Sequence, residues 1–162
     1  MKKLFVITAL LGVTFAATAQ NDSKKPFRVS IGAEAGLPMG DYGDYYSAVF
    51  GGSLQGEYSL DDNLAATLNA GYLNFSGKNG SGSDGFVPVM SGIKYNFTEK
   101  VFAAGQLGLM FSTASGGGSA FTYSPGVGYQ ISSNISALVK YTGWSKNSVN
   151  GSMVGLRLAY SF

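Results

Sequence analysis

The sequence contains no histidine and no cysteine. Without histidine, a Ser-His-Asp triad and a His-bound metal are both impossible. Without cysteine there are no disulfides, no thiolate chemistry and no site for a lipid after an apolar leader. Charge is scarce too: Asp, Glu, Lys and Arg make up 12% of the 162 residues, against roughly a quarter in ordinary soluble domains. No stretch beyond residue 19 approaches the roughly 20 apolar residues that a spanning helix needs. Basic residues nowhere interleave with aromatics as a nucleic-acid surface requires, so no nucleic-acid partner is expected.

What the chain does have is glycine, 24 residues of it, and a 14% share of aromatics. It opens MKKLFVITALLGVTFAATAQ. Lys2 and Lys3 make a positive start, Leu4 to Ala16 an apolar run, and Ala17-Thr18-Ala19 a small-residue exit before Gln20. This is the pattern of a cleaved secretory signal peptide, residues 1–19. Removing Lys2 and Lys3 from 11 basic residues leaves nine against nine acidic ones, so the excess of +2 belongs to the signal. A secreted chain poor in charge, rich in Tyr, Phe and Gly, and without a spanning helix points to the other membrane solution, a closed barrel.

The C-terminal stretch carries this pattern most plainly. Val154, Leu156, Leu158, Tyr160 and Phe162 alternate with Gly155, Arg157, Ala159 and Ser161. That is a strand with one apolar face and one small, polar face. Seven more such segments precede it, at about residues 27–37, 48–60, 64–75, 86–97, 101–111, 120–131 and 135–144. Their connections read alternately long and short. The long ones are 38–47, 76–85, 112–119 and 145–150, and the last three of them are rich in Gly, Ser or Asn. The short ones centre on Asp61-Asp62-Asn63, Thr98-Glu99-Lys100 and Ser132-Ser133-Asn134. An even number of roughly ten-residue strands, with tight turns on one side and longer loops on the other, predicts an all-β, eight-stranded antiparallel up-and-down transmembrane β-barrel over residues 20–162. Both termini then lie in the periplasm. Pro88 and Pro125 are expected near loop ends, where a missing ladder hydrogen bond is tolerable.

The charges Arg28, Glu34, Glu57, Lys94, Lys140 and Arg157 all fall on the small-residue face and are predicted to form a network in the lumen. Glu34 and Glu57, on neighbouring strands, could serve as a paired acid and base. Neutralisation by the neighbouring cations is the better reading, because buried charges require partners. Gly32, Gly36, Gly71, Gly92, Gly108, Gly126, Gly128 and Gly155 share that face. They either let the strands coil tightly or leave space for a narrow leak, although eight strands enclose little more than their own side chains.

Outside the lumen, Asp41-Tyr42-Gly43-Asp44-Tyr45-Tyr46 combines acidic groups with aromatic contact area, the chemistry of a recognition loop. The competing placement for Tyr45 and Tyr46 is the interfacial aromatic belt. Asp41 and Asp44 lack the spacing of an EF-hand. Gly71 to Lys78 imitates a phosphate loop, but the glycine spacing is one residue too long and Asn79 stands where Ser or Thr belongs. Two girdles are expected on the outside: Tyr58, Tyr95, Phe97, Tyr129, Tyr160 and Phe162 near the periplasm, and Phe50, Tyr72, Phe111, Phe121, Tyr141 and Trp144 near the surface.

With the leader, the alternating strands and the terminal Leu156-Arg157-Leu158-Ala159-Tyr160-Ser161-Phe162, the chain resembles the small eight-stranded outer-membrane proteins of the OmpX/OmpA-barrel type. Val87-Pro88-Val89-Met90-Ser91-Gly92-Ile93-Lys94-Tyr95 and Ser124-Pro125-Gly126-Val127-Gly128-Tyr129 share that family's look. The resemblance spans about residues 27–162 and implies an outer-membrane location. It also implies that Tyr160 and Phe162 are read by the barrel-insertion machinery. The barrel enzymes that modify lipid A would need a histidine, so no enzyme activity and no cofactor are expected. The expected role is structural and surface-interacting, as a monomer in outer-membrane lipid that meets an unknown surface ligand through its loops. A narrow porin-like channel is the alternative.

Overall fold

The computed structural model describes residues 26–78, 82–146 and 149–162. The signal segment and the lead-in to residue 25 lie outside the described residues. Eight antiparallel strands follow one another and close into a barrel in sequence order. They are β1 (Phe27–Met39), β2 (Tyr46–Ser59), β3 (Leu64–Gly77), β4 (Ser83–Asn96), β5 (Val101–Ser112), β6 (Ser119–Gln130), β7 (Ile135–Lys146) and β8 (Val149–Ser161). One short helix, α1 (Asp41–Tyr45), joins β1 to β2. Closure is made by β1 against β8, with Glu34 opposite Arg157.

The strands run further than their apolar alternation does. Five residues of the stretch 76–85, expected to be a loop, are strand: Ser76 and Gly77 end β3 and Ser83 to Gly85 begin β4, with Ser76 paired to Ser83 and Phe75 to Asp84, while residues 79–81 lie outside the described residues. Likewise Lys146 pairs with Val149, so residues 145, 146, 149 and 150 of the expected loop at 145–150 are strand, and residues 147–148 lie outside the described residues. Once a neighbour supplies the ladder, Ser, Gly and Asp have their backbone groups satisfied in the extended form, and polarity no longer marks a loop. Among the described residues the upper-rim connections at 40–45 and 113–118 are short, beside lower-rim turns at 60–63, 97–100 and 131–134.

Pro88 and Pro125 both stand inside strands rather than at their ends. On one side of Pro88 the ladder skips from Ala70–Val89 to Leu73–Phe86, while on the other side Pro88 still pairs with Met110. Around Pro125 the ladder skips from Tyr123–Gly143 to Gly126–Lys140. There the hydroxyls of Ser124 and Thr142 bond at 2.9 Å across the gap. The missing proline N–H is thus placed where its ladder is already open.

The alternation sorts side chains as a membrane requires. Ile31, Leu54, Leu68, Leu107, Val127 and Val139 stand on the outside, each more than half exposed, while Ser30, Gln55, Thr67, Asn69, Gln106 and Arg157 are buried. A water-soluble barrel would reverse the two sets. Eleven of the twelve expected girdle aromatics face outward, with Tyr160 and Phe162 edge-to-face at 5.2 Å. Trp144 does not. It shares strand parity with Lys140 and Thr142 and is buried inside.

Two inner-face glycines make room for side chains rather than for water. A Cβ on Gly128 would lie 2.1 Å from the Phe102 ring, and one on Gly32 would lie 2.6 Å from the Arg157 Nε. Gly128→Val is expected to destabilise the barrel by about 1–3 kcal/mol, the usual cost of overpacking. Adding Phe102→Ala should recover part of that loss, measured by urea unfolding in lipid vesicles. An additive double variant would contradict the packing.

Candidate functional site

The lumen is filled in two layers. The lower layer is polar and ionic. Glu34, on β1, receives Lys140 Nζ at 2.8 Å from β7 and faces Arg157 Nε at 3.8 Å on β8. Arg157 lies across Gly32 and also donates to Ser53 Oγ at 2.8 Å and Ser30 Oγ at 3.2 Å. Glu57 accepts from Lys94 Nζ at 3.0 Å and from Gln55 Nε2 at 2.9 Å. Gln55 Oε1 in turn accepts from Asn69 and Gln106, each at 3.2 Å. The Lys94 ammonium also sits 4.5 Å from the centre of the Phe102 ring, a cation–π contact that supports a partly desolvated charge.

Five of the six expected lumen charges therefore meet. The sixth, Arg28, is exposed at the lower rim and takes no part in the network. Its parity is inward, but it is the second residue of β1, and depth rather than face decides its exposure. Glu34 and Glu57 do not form a carboxylate pair: each bonds its own cation. A shared proton, which a paired acid and base would need, has no place between them.

The upper layer is apolar. Val49, Leu73, Phe75, Met110, Trp144 and Met153 form one buried cluster, with Tyr42, Tyr46, Phe86 and Ala120 packed against it. Phe75 is at its centre, edge-on to Trp144 at 5.6 Å and to Phe86 at 4.9 Å. Tyr42, on α1, meets Trp144 edge-on at 5.0 Å and stacks on Tyr46. The helix so lies over the mouth, and Lys78 Nζ donates to the Gly43 carbonyl at 2.6 Å. Its turn begins at Gly40, whose φ of 62° is the left-handed form that glycine takes most easily.

The stretch 41–46 therefore splits. Asp41, Asp44 and Tyr45 are exposed, whereas Tyr42 and Tyr46 turn inward as part of the plug. This corrects the belt placement of Tyr46. The ladder shifts register between Tyr46 and Ala48, a bulge that carries Tyr46 to the opposite face from Phe50. The Tyr46 hydroxyl donates to the Asp84 carboxylate. Among the described residues no third carboxylate, His or Cys joins Asp41 and Asp44 in a metal-binding group. The rest of the plug was open to sequence reasoning: Leu73, Phe75, Phe86, Met110, Trp144 and Met153 all continue the inward parity of their strands.

A barrel with buried ions, exposed leucines and an aromatic band at each rim is built for lipid. The sequence matches the outer membrane protein beta-barrel domain over residues 6–162. The chain belongs to that family. It is an outer-membrane β-barrel. Among curated proteins, none matches its sequence. Three solved barrels show the same fold at low identity. Ail, the attachment invasion locus protein of Yersinia pestis, has 18% identity and a TM-score of 0.59, over 84% of this chain and 97% of its own. The N-terminal barrel of Pseudomonas aeruginosa OprF has 18% identity and a TM-score of 0.58, over 83% and 97%. A de novo designed transmembrane β-barrel has 18% identity and a TM-score of 0.58, over 86% and 98%. A family that shares its architecture with a designed protein takes its function from rims and lumen, not from the fold.

Proposed function

We propose that the protein is a non-conducting outer-membrane barrel that anchors a small recognition surface at the cell exterior. The filled lumen carries this reading, with an apolar plug above and buried ion pairs below. Water and ions crossing such a barrel would have to separate the plug aromatics and break the Glu34 and Glu57 pairs. The upper rim faces outward, and both termini face the periplasm. There Tyr160 and Phe162, side by side on the outside of β8, are the residues that the insertion machinery reads.

The recognition surface is α1. Tyr42 anchors it in the mouth, which leaves Asp41, Asp44 and Tyr45 presented to solvent on a fixed turn. One of the solved Ail structures is a complex with a heparin analogue, a polyanion. The exposed groups of α1 are acidic, so a cationic or hydrogen-bonding partner suits this rim better.

Planar-bilayer recording of the folded protein tests the reading. A silent bilayer with inserted protein is the expected outcome. Discrete, reproducible conductance steps would overturn it and favour the narrow channel, with Glu34, Glu57 and Arg157 as the residues to vary.

A further inference from the structure

The lower layer of the lumen holds more cations than carboxylates. Arg28, Lys94, Lys140 and Arg157 have inward parity there, against Glu34 and Glu57. Lys140 and Lys94 each bond one of the two carboxylates, at 2.8 Å and 3.0 Å. Arg157 is 4% exposed, yet its one carboxylate contact is the 3.8 Å approach of Nε to Glu34, which Lys140 already holds. Its hydrogen bonds go to the neutral hydroxyls of Ser53 and Ser30, and among the described residues Nη1 donates to nothing. A buried guanidinium with idle N–H groups is costly unless an acceptor meets it.

The idle end of Arg157 lies toward the lower mouth. Its Nη2 reaches Ser30, and Arg28 is the next inward position of β1. Two residues of strand put these positions roughly 7 Å apart, a gap that one oxyanion can bridge. Glu57 is opposite Arg28 in the ladder, but its oxygens are engaged by Gln55 and Lys94. Among the described residues Arg28 forms no ion pair. Arg28 is exposed, so solution reaches the two arginines from below, and its lumen parity turns it away from lipid. Two cations this close repel each other where screening is weak, and an anion between them reverses that cost.

We propose that the lower mouth binds one small oxyanion of the phosphate class from solution, held between Arg28 and Arg157. Each guanidinium offers a planar fork of N–H donors that matches two oxygens of such an anion. The site lies at the opposite end of the barrel from α1 and does not depend on the rim function.

Inorganic phosphate, titrated into the folded protein in phospholipid-free detergent with chloride holding the ionic strength constant, tests this. The readout is the NMR resonance of Arg157 Nε–H, which its bond to Ser53 protects from exchange. A saturable shift is the expected result. Arg28→Gln, checked for folding by the heat-modifiable gel shift, should weaken phosphate affinity by about tenfold or more, the loss of one charge-assisted pair. Lys100→Gln, which removes a cation from the lower turn at 97–100, should leave the affinity unchanged. Absence of a saturable shift overturns the proposal, and so does an affinity that Arg28→Gln leaves intact. Equal weakening by Lys100→Gln would mean an adventitious ion only, drawn by the general charge of the rim, and overturns it too. A response to phosphatidylglycerol added to the detergent, with none to free phosphate, would give the site to a lipid headgroup and overturn the solution anion.

Discussion

Glu34→Gln should destabilise the folded barrel by about 3–5 kcal/mol, because it leaves two buried cations without their carboxylate. Lys140 from β7 and Arg157 from β8 both turn to Glu34, and all three side chains are no more than 6% exposed. Coulomb attraction in this lumen is weakly screened, so losing the one acceptor costs far more than losing a surface pair. Arg157→Glu should be at least as damaging: it removes the donor to Ser30 and Ser53 and sets a second carboxylate beside the first. Arg28→Gln is the control. Arg28 is exposed and outside the network, and its loss should stay within about 0.5 kcal/mol. Urea unfolding in lipid vesicles, read by the heat-modifiable gel shift, gives all three values. A Glu34→Gln barrel as stable as the parent would mean that the pairs contribute little and that the lumen takes in water.

Trp144→Ala should be the second large effect, again about 3–5 kcal/mol, through a cavity in the plug. Trp144 is 5% exposed and holds Phe75 and Tyr42 in edge contacts on two sides. Its removal unseats the anchor of α1 as well as the centre of the apolar layer. The variant should therefore lose both stability and the protection of the helix from proteases added outside. Tyr141→Ala, a change at the lipid-facing girdle three residues away, should cost much less, because its ring is 38% exposed and stands in lipid rather than in the packed lumen. Equal losses at the two positions would put Trp144 back in the girdle.

The alternation of small polar with large apolar residues determined most of this protein. Lipid on one side and a narrow lumen on the other force every strand to obey a period of two. The eight strands, their order, the buried Glu34, Glu57, Lys94, Lys140 and Arg157, and the outward Tyr160 and Phe162 were therefore legible as parity. Trp144 was legible by the same rule, since it follows Lys140 and Thr142 at even spacing. Parity fixes a face but not a depth, however, and Arg28 shows the difference: an inward position at the rim is an exposed one. Polarity likewise did not reveal where the strands stop, because Ser83 to Gly85 pair as well as any valine once β3 lies beside them.

Two matters were decided only by the tertiary structure. One is Tyr46, which a single-residue bulge turns from lipid to lumen. A bulge depends on the register with the neighbouring strand, and one sequence read alone carries no register. The other is which charge meets which. Lys140 reaches Glu34 across β8, and Lys94 reaches Glu57 across β3. Those partners are more than thirty residues apart in the chain. Only the closing of β1 on β8, and the narrowness of an eight-stranded lumen, bring them within one bond.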